Sequence, residues 1–237
     1  MLRNLVLSAA AAGVAAGLLT AALQHVTTTP IIIEAERYES GEAGPVRNGS
    51  LYSSGATVAT HDGEALADAW KPQDGIERTS YSALTTTLMG VGFSLALLGA
   101  MALTDSRIDG RSGLAYGVAG FAALALAPAL GLPPEMPGSA AAGLVERQIW
   151  WLTTAAATAG GLAALLLTRN NLLRIGGVAL IAIPHVIGAP RPEAFASTAP
   201  AELAGHFAAA SLVISAVFWA VLGFASGTVY QRLARSG

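Results

Sequence analysis

Four histidines, His25, His61, His185 and His206, are the side chains best suited to ligate a metal or accept a proton near pH 7, and the chain has no cysteine. Each falls at or beyond the end of an apolar stretch, always at the same alternate ends. Carboxylates accompany them: Glu34, Glu36 and Glu39 follow His25, and Glu202 precedes His206 by four residues. On a helix that spacing puts Glu202 and His206 on one face. Imidazole with carboxylate is a borderline ligand set suited to cobalt, nickel, zinc or manganese. The expected cation ligands are therefore His185 and His206, then His25 and Glu34, with Glu36 and Glu202 behind them. A ligating imidazole must be neutral, so binding is expected to weaken below about pH 6. The plainer role for any one of these histidines is to meet helix-end carbonyls or the headgroup region. The absent cysteine excludes disulfides, thiolate metal sites and cysteine nucleophiles together.

The elements that must position these residues are apolar. The chain of 237 residues is 53% hydrophobic and 12% charged, about half the charge of a soluble domain. A membrane span needs about 20 apolar residues. The pattern predicts an all-α, polytopic membrane protein, a single integral membrane domain with six spans over residues 5–25, 80–103, 113–132, 149–168, 172–188 and 206–230. The fifth is the shortest. The N-terminal run is long for a signal peptide and lacks a clear small-residue cleavage site, so it is expected to be retained.

With six spans the termini share a side. If Arg3 is cytoplasmic, the inner segments carry Arg3, Arg107, Arg111, Arg169, Arg174, Arg232 and Arg235 against two acids, a net +5, and the outer segments sum to −7. Basic short loops face the cytoplasm, so both termini are expected inside a bacterial inner membrane. The histidines then lie at the outer face, whose largest feature is a loop of about 54 residues, 26–79. Within it, Ile31–Tyr38 reads as a short helix with Thr29 as cap and Pro30 at its first position, or as a kinked continuation of the first span. Residues 41–63 read as an irregular loop and 64–70 as a short helix, followed by a turn through Gly75. An anionic mouth bearing histidine would concentrate divalent cations.

No ionisable residue lies near the middle of any span. The midplane offers Thr85, Thr86, Thr87, Ser94, Thr153, Thr154, Ser211 and Ser215, hydroxyls expected to bond back to their own helices. A cation path would then need a partner's ligands, water, or unwound backbone such as the carbonyls near Pro128 and Pro184. Gly13-x-x-x-Gly17, Gly113-x-x-x-Gly117 and Gly223-x-x-x-Gly227 each set two glycines on one helix face. Such faces admit close helix contact in lipid, either within a tightly packed monomer or against a partner helix. Trp150-Trp151 reads as an interface anchor.

Enzyme readings fare poorly. Gly223-Phe-Ala-Ser226-Gly227 has a faint likeness to an intramembrane serine protease, but His206 is 20 residues away on the same helix, about 30 Å at 1.5 Å per residue. The chain shows neither a phosphate loop nor a nucleotide fingerprint.

Several segments together resemble the CbtA family of predicted cobalt transporter subunits. They are Glu34-Ala-Glu36-x-Tyr38-Glu39, Asp74-Gly75-x-Glu77-Arg78, Leu132-Pro-Pro-Glu135-x-Pro137-Gly138, Arg147-Gln148-x-Trp150-Trp151 and Pro184-His185-x-Ile187-Gly188-Ala-Pro190. They run in order over nearly the whole chain. The resemblance implies an inner-membrane subunit for cobalt uptake serving cobalamin synthesis, with Co²⁺ (or Ni²⁺) as the transported ion. It also implies a small one-helix partner, CbtB, that carries a histidine cluster. The family is usually described with five spans, against six read here. The alternative is a non-catalytic accessory subunit packed by its glycine faces against a larger respiratory or photosynthetic membrane complex.

Overall fold

The computed structural model describes residues 1–40, 72–73, 75–104, 107–193 and 197–236. The irregular loop expected over 41–63, with His61, and the short helix expected over 64–70 lie outside the described residues. Among the described residues seven helices carry the fold: α1 (Leu2–Val26), α2 (Thr28–Glu39), α3 (Ile76–Leu103), α4 (Gly110–Ala129), α5 (Leu144–Leu167), α6 (Asn171–Ile187) and α7 (Ala201–Arg235). The described residues hold no strand beyond a single bridge between Ser139 and Ser197, as an all-α chain requires.

Five helices, α1, α3, α4, α5 and α7, are long and apolar enough to cross a bilayer. The sixth, α6, has 17 residues, about 26 Å of rise against the roughly 30 Å of a hydrocarbon core. It nonetheless returns along α5. Trp150, near the start of α5, donates its indole N–H to the carbonyl of Pro184, near the end of α6, at 3.3 Å. The chain thus passes six times between two ends. One end gathers the seven arginines of the inner segments and both termini, with Asn4 bonded to the Leu233 carbonyl. The other gathers Glu34, Glu36, Glu39, Glu77, Glu135, Glu146 and Glu202, and is called the acidic end below; Asp109 stays at the arginine end.

Several boundaries differ from expectation. The third apolar stretch stops being helical at Ala129, not 132, because Leu130 and Gly131 close a turn on Leu126, Ala127 and Pro128 and Pro133-Pro134 then disfavours helical backbone. Pro30 does not open α2. The helix begins at Thr28, after a break at Thr27, and Pro30 sits in the first turn, where a missing N–H costs nothing. α7 starts at Ala201 and runs 35 residues, about 52 Å, so it overreaches a bilayer. α4 is started by Asp109, whose carboxylate accepts from the amides of Arg111 and Ser112 while the Ser112 hydroxyl accepts from the Asp109 amide, a reciprocal cap. The Ser112 amide bond, more than the nearby Arg107 charge, holds the Asp109 carboxyl below its ordinary value.

Burial is inverted relative to a water-soluble bundle. α1 buries Ala9, Ala12, Gly13, Ala16, Gly17 and Thr20 on one face and exposes Leu7, Val14 and Leu18. Lipid tails solvate leucine as well as a core does, so small residues take the seams. Glycine lines three of the seams between helices, and α1 also packs along α7. Gly13 and Gly17 lie on the backbone of α3 at Gly90, Val91 and Thr87; Gly113 and Gly117 lie on α7 at Gly223 and Trp219; Gly161 of α5 lies on Gly177 of α6. At each, a β-carbon would meet opposing backbone. All three glycine pairs read from the sequence are therefore used inside the chain.

α6 packs on α5 alone, and the α5–α6 hairpin meets the other described helices only along α4. At that joint α4 carries a π turn, Ala122–Leu126. Ala127 donates to the Ala122 carbonyl five residues back. Pro128 has no N–H to offer the turn before it, so the ladder there loses a donor.

Candidate functional site

Toward the acidic end α1, α2, α3 and α7, with the π turn of α4 and Trp151 of α5, border a half-open cavity of about 560 Å³. α1 contributes Thr20, Gln24 and His25; α2, Thr28 and Thr29; α3, Arg78, Thr79, Ser82, Thr86 and Met89; α7, Ser211 and Ser215. On each of α1, α3 and α7 the polar residues recur at three- and four-residue spacing, so each helix presents a row of oxygens to the same space. The floor is aromatic. Phe93 packs on Trp219 at 4.9 Å between ring centroids and on Phe218 at 6.3 Å. Beneath it lie Ala16, Leu97 and Leu222, and the Ser94 and Ser226 hydroxyls bond to each other at 2.6 Å. The cavity is closed toward the arginine end. Ser226, which also donates to the Leu222 carbonyl, is a buried helix fastener.

A second cavity of about 630 Å³ separates α7 from the hairpin. Pro133, Pro134 and Glu135 line it from the loop after α4, Arg147 and Gln148 from α5. The two cavities share Leu124 and Ala125 of the π turn, Trp151, Ser211 and Ser215. The π turn is thus the wall at which they meet. Such turns recur at functional sites.

An ion pair stands at each mouth. Arg78 grips both carboxylate oxygens of Glu36, at 3.1 and 2.5 Å. Arg147 meets Glu135 at 2.7 Å. Neither pair lies within one element: Arg78 ties α3 to α2, and Arg147 ties α5 to the loop after α4.

The six expected ligands are placed as follows. His25 is at the rim of the first cavity, its Nδ1 3.4 Å from the Thr79 hydroxyl. Glu36 is committed to Arg78, and Glu34 to Arg37 at 2.9 Å. His185 packs edge-on against Trp150, centroids 5.9 Å apart. Glu202 and His206 share an exposed face of α7, as their spacing predicts. No three histidine or acidic side chains come within metal-holding reach of one another among the described residues. Trp150 is not an interface anchor. It is buried, bonded to Pro184, while its neighbour Trp151 takes the surface position and faces both cavities.

The family model for the "probable cobalt transporter subunit (CbtA)" matches residues 2–231. The chain belongs to the CbtA family. No curated protein and no solved structure matches it. As a CbtA chain it is a multi-pass membrane subunit of a cobalt transport system.

The rows of hydroxyls depart from expectation in an informative way. Thr86 and Thr153 do bond back to carbonyls of their own helices. Thr20, Ser211 and Ser215 make no hydrogen bond to any described residue, and all three line the cavity. Sequence reasoning missed Gln24, Thr20 and the π turn. Thr20 and Gln24, one helical turn apart on α1 and level with His25, were the available signal.

Proposed function

We propose that the chain admits Co²⁺ from the extracytoplasmic side of the inner membrane as part of a cobalt uptake system supporting cobalamin synthesis, with the first cavity as its vestibule. The single observation that carries this is the cavity itself: oxygen-lined, opening at the acidic end beside His25, and floored by Phe93, Phe218 and Trp219. The arginine end faces the cytoplasm in this reading, which puts both termini inside and makes α6 a sixth crossing. His25 meets the ion first. Glu202 and His206, exposed on one face of α7, form half a site that a histidine-bearing, one-helix partner would complete. His185 and Glu34 are secondary contacts on the same face. The reading is non-enzymatic.

The test is radioactive Co²⁺ uptake in cells lacking their own cobalt and nickel importers, with and without the one-helix neighbour. Uptake should require both chains and fall when His25, or Glu202 with His206, is changed to alanine. Correctly inserted protein that gives no uptake in any combination would favour the accessory-subunit reading instead.

Glu36 gives a second expected result. In Glu36→Gln the Arg78 charge at the mouth loses the negative charge that Glu36 sets against it. One unit charge about 8 Å from a divalent ion in water costs roughly 1 kcal/mol, or about fivefold in local ion concentration. Uptake at low salt should fall by about that factor and recover as ionic strength rises. A loss insensitive to salt would mean that Glu36 acts through the fold.

A further inference from the structure

We infer that the first cavity takes the divalent cation with its water shell intact, recognising the coordinated waters rather than the metal. This rests on the vestibule reading and deepens it. An aquo ion of six waters needs on the order of 200 Å³, at about 30 Å³ per water. The cavity holds about 560 Å³, so the hydrated ion fits without shedding a ligand.

The wall chemistry agrees. Thr20 is more than nine-tenths buried, yet its hydroxyl lines the cavity without a protein partner. Ser211 and Ser215, half-buried on α7, face it at the wall made by the π turn and also lack a protein partner. Hydroxyls that open onto a cavity without a protein partner are left to water or a ligand. Each of these groups is neutral and accepts hydrogen bonds. Water polarised by a divalent metal is a strong donor, so the hydroxyls suit it well. Neutral hydroxyls are poor replacements for the waters themselves, which carboxylates or imidazoles would displace. The charged groups at the rim fit the same picture. Arg78 is neutralised by Glu36, and His25 lies where the shell enters, not where it would be lost. The floor of Phe93, Phe218 and Trp219 is then the level at which the hydrated ion stops.

Hexaamminecobalt(III) tests this, because its ammine shell donates hydrogen bonds and does not exchange. The chain lacks cysteine, so Ala125→Cys, on the π turn, places one thiol in the cavity. Its modification by an uncharged thiol reagent is followed in full-length protein in membranes. Hexaamminecobalt(III) should slow the reaction saturably, as Co²⁺ does. Thr20→Val with Ser215→Ala should raise the concentration needed by about tenfold or more, as loss of two charge-assisted bonds requires. Spermidine, of equal charge but without an octahedral shell, should protect far less. Protection by Co²⁺ alone, or equal protection by spermidine, overturns the inference while leaving the vestibule reading intact. If neither cobalt species protects in membranes that do take up Co²⁺, the ion does not pause hydrated in this cavity and the inference also fails. Loss of uptake, by contrast, strikes the vestibule reading itself.

Discussion

Gly223→Val is expected to leave the chain unable to hold α7 against α4. A β-carbon at Gly223 would fall on the Gly113 carbonyl and crowd the Gly117 backbone, and neither can move aside without parting the helices. Overpacking a tight core site costs about 1–3 kcal/mol and occasionally more. A branched side chain against helix backbone belongs at the upper end, so a loss of about 3 kcal/mol or more is expected. The readout is thermal denaturation in detergent, with the fraction of monodisperse protein on gel filtration. Gly92→Ala is the control in the same molecule. Nothing lies within 4 Å of a β-carbon there, and alanine is the better helix former by roughly 1 kcal/mol, so that variant should melt at the same temperature or slightly higher. Equal tolerance of both substitutions would mean that the α4–α7 seam is not what holds the bundle together.

That seam was legible in the sequence, for a physical reason. In lipid, close approach needs small residues at four-residue spacing, and Gly113-x-x-x-Gly117 and Gly223-x-x-x-Gly227 announce it locally. The five long apolar helices were legible on similar grounds, since bilayer thickness leaves its trace in short windows, while the expected sixth span is the 17-residue α6. What the sequence hid depends on how helices splay. The Arg78–Glu36 pair joins residues 42 apart, and no local pattern selects that partner from the other acids. Trp150 and Trp151 have the same composition and neighbouring positions, yet the first is buried against Pro184 and the second faces the cavities, because a 100° step around α5 decides between them. The π turn leaves no trace in Ala-Ala-Leu-Ala-Leu. Pro128 was visible as a place where carbonyls could be freed near a span end, and it lies one residue before the end of α4, just beyond the shifted register that the sequence does not announce. Of the described histidines, His25, His185 and His206 sit at helix ends on the acidic side, and their spacing along the chain says nothing of the distances that keep them from forming one cluster.

Ser215→Trp should reduce cobalt uptake to the level of cells without the chain while leaving the fold in place. Ser215 lies one turn below Ser211 on α7, where the two cavities meet beside Leu124, Ala125 and Trp151. An indole added there grows into open space and not into packed backbone, so overpacking strain should be small. It would, however, occupy the route from the His25 rim to the aromatic floor. Val213→Trp is the matched control: the same helix and the same added side chain, at a position 64% exposed on the outer surface, where an indole meets lipid. Melting temperature and membrane abundance should be similar for the two variants, and only Ser215→Trp should lose uptake. If Ser215→Trp carries cobalt at the parental rate, the ion does not pass through the junction. The path would then lie at the contact between this subunit and its partner, along the Glu202–His206 face of α7.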